Sequence, residues 1–149
     1  MDGSILDNIR GQFELGDIDP ARYSPLALAF IGDSVFDLVV KTVLTGKANC
    51  PANVLHRRAS SIVKAQSQAK MAQWFLNNGY FTQEEQAVFR RGRNAKSPTT
   101  AKNASVSDYR MATGVEALVG YLYLMDRTGR LVELIKAGIE AVNEEGAGI

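Results

Sequence analysis

The chain has one cysteine, Cys50, among 149 residues. An intrachain disulfide is therefore excluded, and a reducing compartment is the expected setting. There is one histidine, His56, so no multi-histidine metal site can be built. His56 reads more readily as a structural hydrogen-bonder than as a ligand. No long apolar run is free of charge: residues 26–44 contain Asp33, Asp37 and Lys41, which makes a poor membrane span. The N-terminus is polar and acidic and shows no secretory signal. No segment alternates with period two over a strand's length, and no internal repeat or linker interrupts the chain.

What remains is a soluble-type composition, 46% hydrophobic, with a net charge of only +1. The length fits one domain with a real core. The small net charge hides an asymmetry. Residues 56–110 hold ten basic residues against three acids (Glu84, Glu85, Asp108), a balance of +7. The rest holds seven against thirteen, a balance of −6. A basic middle can bind a polyanion through one face, although a solvated basic surface would read the same way.

Helical signals fill the chain. Residues 1–23 are acidic and read as an arm with one short helical turn. Ser24 and Pro25 form an N-cap and first-turn proline. They open a helix to about Thr45, ended by Gly46. It is apolar nearly all round and should be the central buried helix. Pro51 opens the next, with Leu55, Ala59, Ile62 and Val63 inward. Another runs through Met71, Trp74 and Phe75 to Asn78-Gly79, with its aromatics in the core rather than stacked on bases. Thr82 to Glu85 is a capping box for a short helix through Phe89. Residues 92–104 lack an apolar period and read as a loop. Ser105 or Ser107 caps a helix to about Asp126. Gly129 closes it, and residues 130–144 form a last amphipathic helix. The expected fold is an all-α helical bundle, with 24–145 as the domain.

Two acids sit inside the most apolar helices: Asp33 in the first, Glu116 in the one after the loop. A carboxylate among aliphatic side chains is costly unless paired or metal-bound. Gly32, Gly114 and Gly120 flank these acids and imply close helix contact. Packed side by side, the helices would bring Asp33 and Glu116 together at a cation. Asp37, one turn after Asp33, is either a further ligand or a surface acid at a dimer edge.

Several stretches carry a family resemblance. Phe30-Ile-Gly-Asp-Ser-Val-Phe36 resembles the signature helix of the ribonuclease III family, and Val115-Glu-Ala-Leu-Val-Gly120 resembles its second acidic helix. The stretches Leu55 to Val63, Arg91 to Ser97 and Asp108 to Thr113 resemble the subgroup called Mini-ribonuclease III. The resemblance spans roughly residues 24–135 and leaves no room for an appended double-stranded-RNA-binding domain. It implies an all-helical, dimeric, magnesium-dependent endonuclease that cuts double-stranded RNA and leaves 5′-phosphate and 3′-hydroxyl ends. Asp33 and Glu116 are then the catalytic metal ligands, the ion is Mg2+, and Phe30 is a dimer-interface knob. Arg91, Arg93, Lys96, Thr99, Thr100 and Lys102 would contact RNA, and Lys64, Ser67 and Gln68 would extend that surface. The subgroup points to maturation of precursor large-subunit (23S) ribosomal RNA in the cytoplasm, helped by a ribosomal protein and with no membrane involved.

The sequence departs from the standard family pattern at three places. Positions that carry further acids in that pattern are Leu26, Ala29 and Thr113 here. Two readings of other classes follow. One is a non-catalytic, ribosome-associated RNA-binding scaffold, against which the retention of both Asp33 and Glu116 argues. The other is an all-α nucleotide hydrolase, which would use denser acidic motifs.

Overall fold

The computed structural model describes residues 2–96 and 105–143. Among them every regular element is helical: α1 (Ile5–Gln12), α2 (Pro25–Lys47), α3 (Ala52–Val63), α4 (Ala65–Asn77), α5 (Gln83–Asn94), α6 (Val106–Leu124) and α7 (Thr128–Asn143), with a 3-10 turn at Pro20–Arg22. The all-α expectation holds.

The local signals explain most boundaries. The Ser24 side chain accepts the Ala27 N–H at 3.1 Å and starts α2. Thr82 and Glu85 form the capping box of α5, at 3.1 and 3.0 Å. Ser105, not Ser107, caps α6 by accepting the Asp108 N–H at 3.0 Å. Gly79, at φ +57°, closes α4, and the Tyr80 N–H reaches back to the Phe75 carbonyl at 2.9 Å.

Four boundaries differ from the sequence expectations. The acidic arm contains a full eight-residue helix, α1, held by a Ser4/Asp7 capping box. Gly46 lies inside α2, and the helix stops at an extended Ala48. Gly129 lies inside α7; the preceding turn is made instead by Asp126, at φ +58°. Aspartate is among the few residues that tolerate this left-handed region. Finally, α5 continues to Asn94. Gly92, expected in a loop, is a contact residue: a Cβ there would lie 2.7 Å from the Ala117 Cβ.

α6 is the centre of the molecule. It packs most extensively on α2, then on α5 and α4. Its central stretch, Val115 with Ala117 to Val119 and Leu122, is completely or almost completely buried. This all-round burial is why α6 has no apolar stripe. α2 contributes Leu28, Phe36, Val40 and Leu44 to the same core, α4 adds Met71 and Phe75, and α7 adds Leu134 and Ile135. Trp74, Phe75, Tyr80, Phe81 and Phe89 form a chain of ring contacts with centroids 5.1 to 5.8 Å apart.

One buried ion pair ties α5 to α7. Glu85 is 3% exposed, and both its oxygens accept from Arg130 at 2.8 Å. Arg130 also donates to the Tyr80 carbonyl and lies over the Tyr80 ring. Burial works against ionisation of Glu85, but Arg130 and the Thr82 N–H outweigh it and lower the pKa.

Candidate active site

The α2–α6 crossing places both acids. Gly32 faces Glu116, and Gly120 faces Leu28: a Cβ at Gly32 would stand 1.7 Å from the Glu116 carbonyl oxygen, and one at Gly120 would stand 2.0 Å from that of Leu28. Only glycine at both positions permits this approach. The consequence is local, because Asp33 follows Gly32 directly and Glu116 is itself the residue in contact.

The crossing sets Asp33 close enough to act on the Glu116 carboxyl group. Burial first, then the hydrogen bond to Asp33 and its negative charge, push Glu116 up to about 8, while Gln68 acts in the opposite direction. A partly buried carboxylate beside a second acid is costly to ionise; it keeps its proton or holds a cation. Burial of both acids is not what the fold shows, however. Glu116 is half-buried, whereas Asp33 is exposed on the open side of α2. The reason is position: Gly32 takes the contact face of α2, and the next residue turns toward solvent.

Asp37 is not a third member. It pairs with Lys41 at 2.9 Å, one turn further along α2. Leu26 and Ala29 supply no oxygen, and Thr113 Oγ1 donates to the Tyr109 carbonyl at 2.9 Å. Among the described residues no group of three or more His, Cys, Asp or Glu side chains could hold a metal ion. The donor set is thus two carboxylates. It suits magnesium, which binds through one or two carboxylates and keeps several waters.

The basic residues divide. Arg91 and Lys96 are exposed and Arg93 is half-buried, with its guanidinium 5.8 Å from the Phe89 ring centroid. Arg91 and Arg93 belong to the last turn of α5, not to a loop; they flank Gly92, which packs against α6. Arg93, Asn94, Ser107 and Arg110 line a cleft of about 390 Å3 between the end of α5 and the start of α6. Sequence reasoning does not single out Arg110. Its only signal there is its place one turn into α6, where the chain returns toward Arg93. Thr99, Thr100 and Lys102 lie outside the described residues. Lys64 is exposed at the α3–α4 junction.

Two residues expected on the RNA-facing surface are interior. Ser67 is buried, and its hydroxyl donates to the Ser61 carbonyl at 2.6 Å. Gln68 is buried too, directly behind Glu116. Both sit in the first turn of α4, where their side chains serve the end of α3 rather than solvent. His56 is exposed and lines a shallow cleft with Lys41 and Thr45.

The Ribonuclease III domain family matches residues 26–127, most of the chain. Mini-ribonuclease 3 of Enterococcus faecalis is 44% identical over 126 residues, covering 85% of this chain and 96% of the relative. Mini-ribonuclease 3 of Staphylococcus aureus is 42% identical over 121 residues, covering 81% and 90%. A Fusobacterium nucleatum protein of known crystal structure superposes with a TM-score of 0.71 at 25% identity, covering 80% of this chain and 93% of its own. The molecule is therefore an all-helical endoribonuclease. The chain belongs to the ribonuclease III family, in its Mini-ribonuclease III branch. No helix among the described residues is long and apolar enough to cross a membrane.

Proposed function

We propose that this chain is a magnesium-dependent endonuclease that cuts double-stranded RNA as a homodimer, leaving 5′-phosphate and 3′-hydroxyl ends. The observation that carries this reading is the close α2–α6 crossing, where Gly32 lies against the Glu116 backbone and brings Asp33 beside Glu116. Such a pair is poised to exchange the proton on Glu116 for a divalent cation. Asp33 and Glu116 would hold that ion. When bound, magnesium lowers the pKa of a water and neutralises charge on the scissile phosphate. Glu116 anchors from the interior, and Asp33, on the open side, faces the substrate and positions the attacking water. Arg91, Arg93, Lys96 and Lys64, joined by Arg110, bind duplex phosphates and fix the strand relative to the acids. Thr99, Thr100 and Lys102 belong to the same proposed surface.

The dimer rests on α2. Phe30 is 81% exposed and Leu38 is 53% exposed on a face that also carries Ala27 and Ser34. A large aromatic ring held in water on the signature helix fits a knob seated in a second copy. One chain carries one acid pair, so cutting both strands needs two subunits. Sedimentation equilibrium should return twice the 16.2 kDa chain mass.

The substrate we propose is the paired stem of precursor 23S ribosomal RNA in the cytoplasm, presented with the help of a ribosomal protein. The +7 segment supplies some affinity for any duplex, and a bound partner on the RNA raises the effective concentration. The test has two arms. A structured RNA incubated with the protein and magnesium should yield 5′-phosphate ends. A strain lacking the gene and any redundant nuclease should accumulate 23S RNA with unprocessed ends; fully mature ends would remove this substrate.

A further inference from the structure

Gln68 stands behind the acid pair, on the first turn of α4. Its side chain is almost fully buried, at 2% exposure. Its Nε2 donates to the Val63 carbonyl at 2.8 Å and points to Glu116 Oε2 at 3.5 Å. Both partners are acceptors, which fixes the orientation of the amide: the nitrogen faces them. The oxygen, Oε1, is consequently turned away from both. It is buried and has no hydrogen-bond partner among the described residues. A buried acceptor without a donor is unfavourable, so Oε1 calls for a donor, and a water is the one that fits.

The chemistry of the group matters. An amide brings no charge to a place that already holds two carboxyl groups. It offers a donor to one of them and an acceptor to whatever water lies near. It also fastens Glu116 to the last turn of α3, because the same Nε2 holds the Val63 carbonyl there. That end of α3 leads directly into the exposed Lys64. One interior side chain therefore links the proposed phosphate-facing junction to the carboxylate.

We infer that Gln68 is a positioning residue of the metal site: Nε2 holds Glu116 Oε2 in place, and Oε1 accepts a hydrogen bond from a water that the ion carries. This rests on the metal-site reading proposed above. Partners of this kind orient metal-binding carboxylates and tune their affinity without touching the ion.

The test follows thermal unfolding of the full chain as magnesium is added, for wild type, Glu116→Gln, Gln68→Met and Gln68→Asn. Wild type should be stabilised by magnesium, and Glu116→Gln should lose that response. Gln68→Met keeps the volume and removes both polar atoms. It should need about ten- to a hundredfold more magnesium for the same stabilisation. Its cleavage rate should fall at limiting magnesium and recover at high magnesium, which a general loss of packing would not produce. Should the methionine variant not fold, Gln68→Asn, with the amide on a shorter arm, carries the same expectation. In the Glu116→Gln background neither change should alter the magnesium response. An unchanged magnesium midpoint in a folded Gln68 variant overturns the inference while leaving the metal site intact. A wild type whose magnesium response does not depend on Glu116 overturns the metal-site reading, and this inference with it.

Discussion

Gly32 lies against the backbone of Glu116 so closely that a Cβ on it would stand 1.7 Å from the Glu116 carbonyl oxygen and 2.8 Å from the Gly120 nitrogen. The obstacles are backbone atoms, which cannot rotate away. The distance between the two acid-bearing helices is thus set by a hydrogen atom at position 32, and the side chain after it is Asp33.

Gly32→Ala should therefore damage the site more than its size implies. Overpacking a core usually costs about 1–3 kcal/mol, and a collision with backbone belongs at the upper end or beyond. Denaturant titration should show that loss, and residual folded protein should cleave far more slowly than the stability loss accounts for. Gly46→Ala is the control. It lies in the same helix, with nothing within 4 Å of an added Cβ. It should be neutral or stabilising by up to about 1 kcal/mol.

The Arg130–Glu85 pair gives a separate prediction, remote from catalysis. Arg130→Ala would leave Glu85 buried without its partner. Breaking a buried pair in this way costs about 3–5 kcal/mol. Urea unfolding should register that loss. A paired replacement of both residues by apolar side chains of similar volume should recover much of it, which the single variant cannot.

Much of this is legible in the sequence, for physical reasons that can be named. Ser24-Pro25, the Thr82 capping box and Asn78-Gly79 are short-range signals, and each lies where the structure uses it. Gly32 and Gly120 announce the α2–α6 crossing, and it is there, whereas Gly114 admits Phe89 of α5. The glycine failures have two causes. Gly46, Gly92 and Gly129 look like punctuation, yet all three are helical. Gly92 admits α6, whereas Gly46 and Gly129 meet nothing within 4 Å and simply lie within helices that run past them. Ser67 and Gln68 mislead for a related reason: polar residues suggest an exposed surface, whereas these two serve interior carbonyls and Glu116. The exposure of Asp33 also depends on a helix rotation that only the α6 contact defines.

The acid pair predicts a pH dependence of stability in metal-free protein. Glu116 is raised to about 8, from an ordinary value of 4.5, by burial and by Asp33. The folded state then binds a proton that the unfolded state has released, so stability falls with rising pH across that interval. Below 4.5 both states are protonated and the effect vanishes; above about 8 it is complete. Metal-free melting temperatures should decline between these limits, and Glu116→Gln should flatten the decline. Magnesium should restore stability most at the alkaline end, where it need not displace a proton.

The cleft between α5 and α6 should read duplex phosphates. Arg93 and Arg110 approach it from opposite helices. Replacing both by alanine should weaken duplex binding across all sequences alike. The slope of log affinity against log salt should fall by about 0.9 for each phosphate no longer neutralised, on the B-DNA scale. An unchanged slope would take this cleft out of the RNA surface.

The most direct measurement is single-turnover cleavage of a duplex RNA by Asp33→Asn in the presence of magnesium, with folding and duplex affinity measured on the same preparation. Removing a group that holds the ion against the developing charge should slow cleavage by on the order of 10^3 or more. Helical content, melting without magnesium and duplex affinity should stay close to wild type, because Asp33 is exposed. A folded Asp33→Asn protein that binds duplex and cuts it at the wild-type rate would contradict the account.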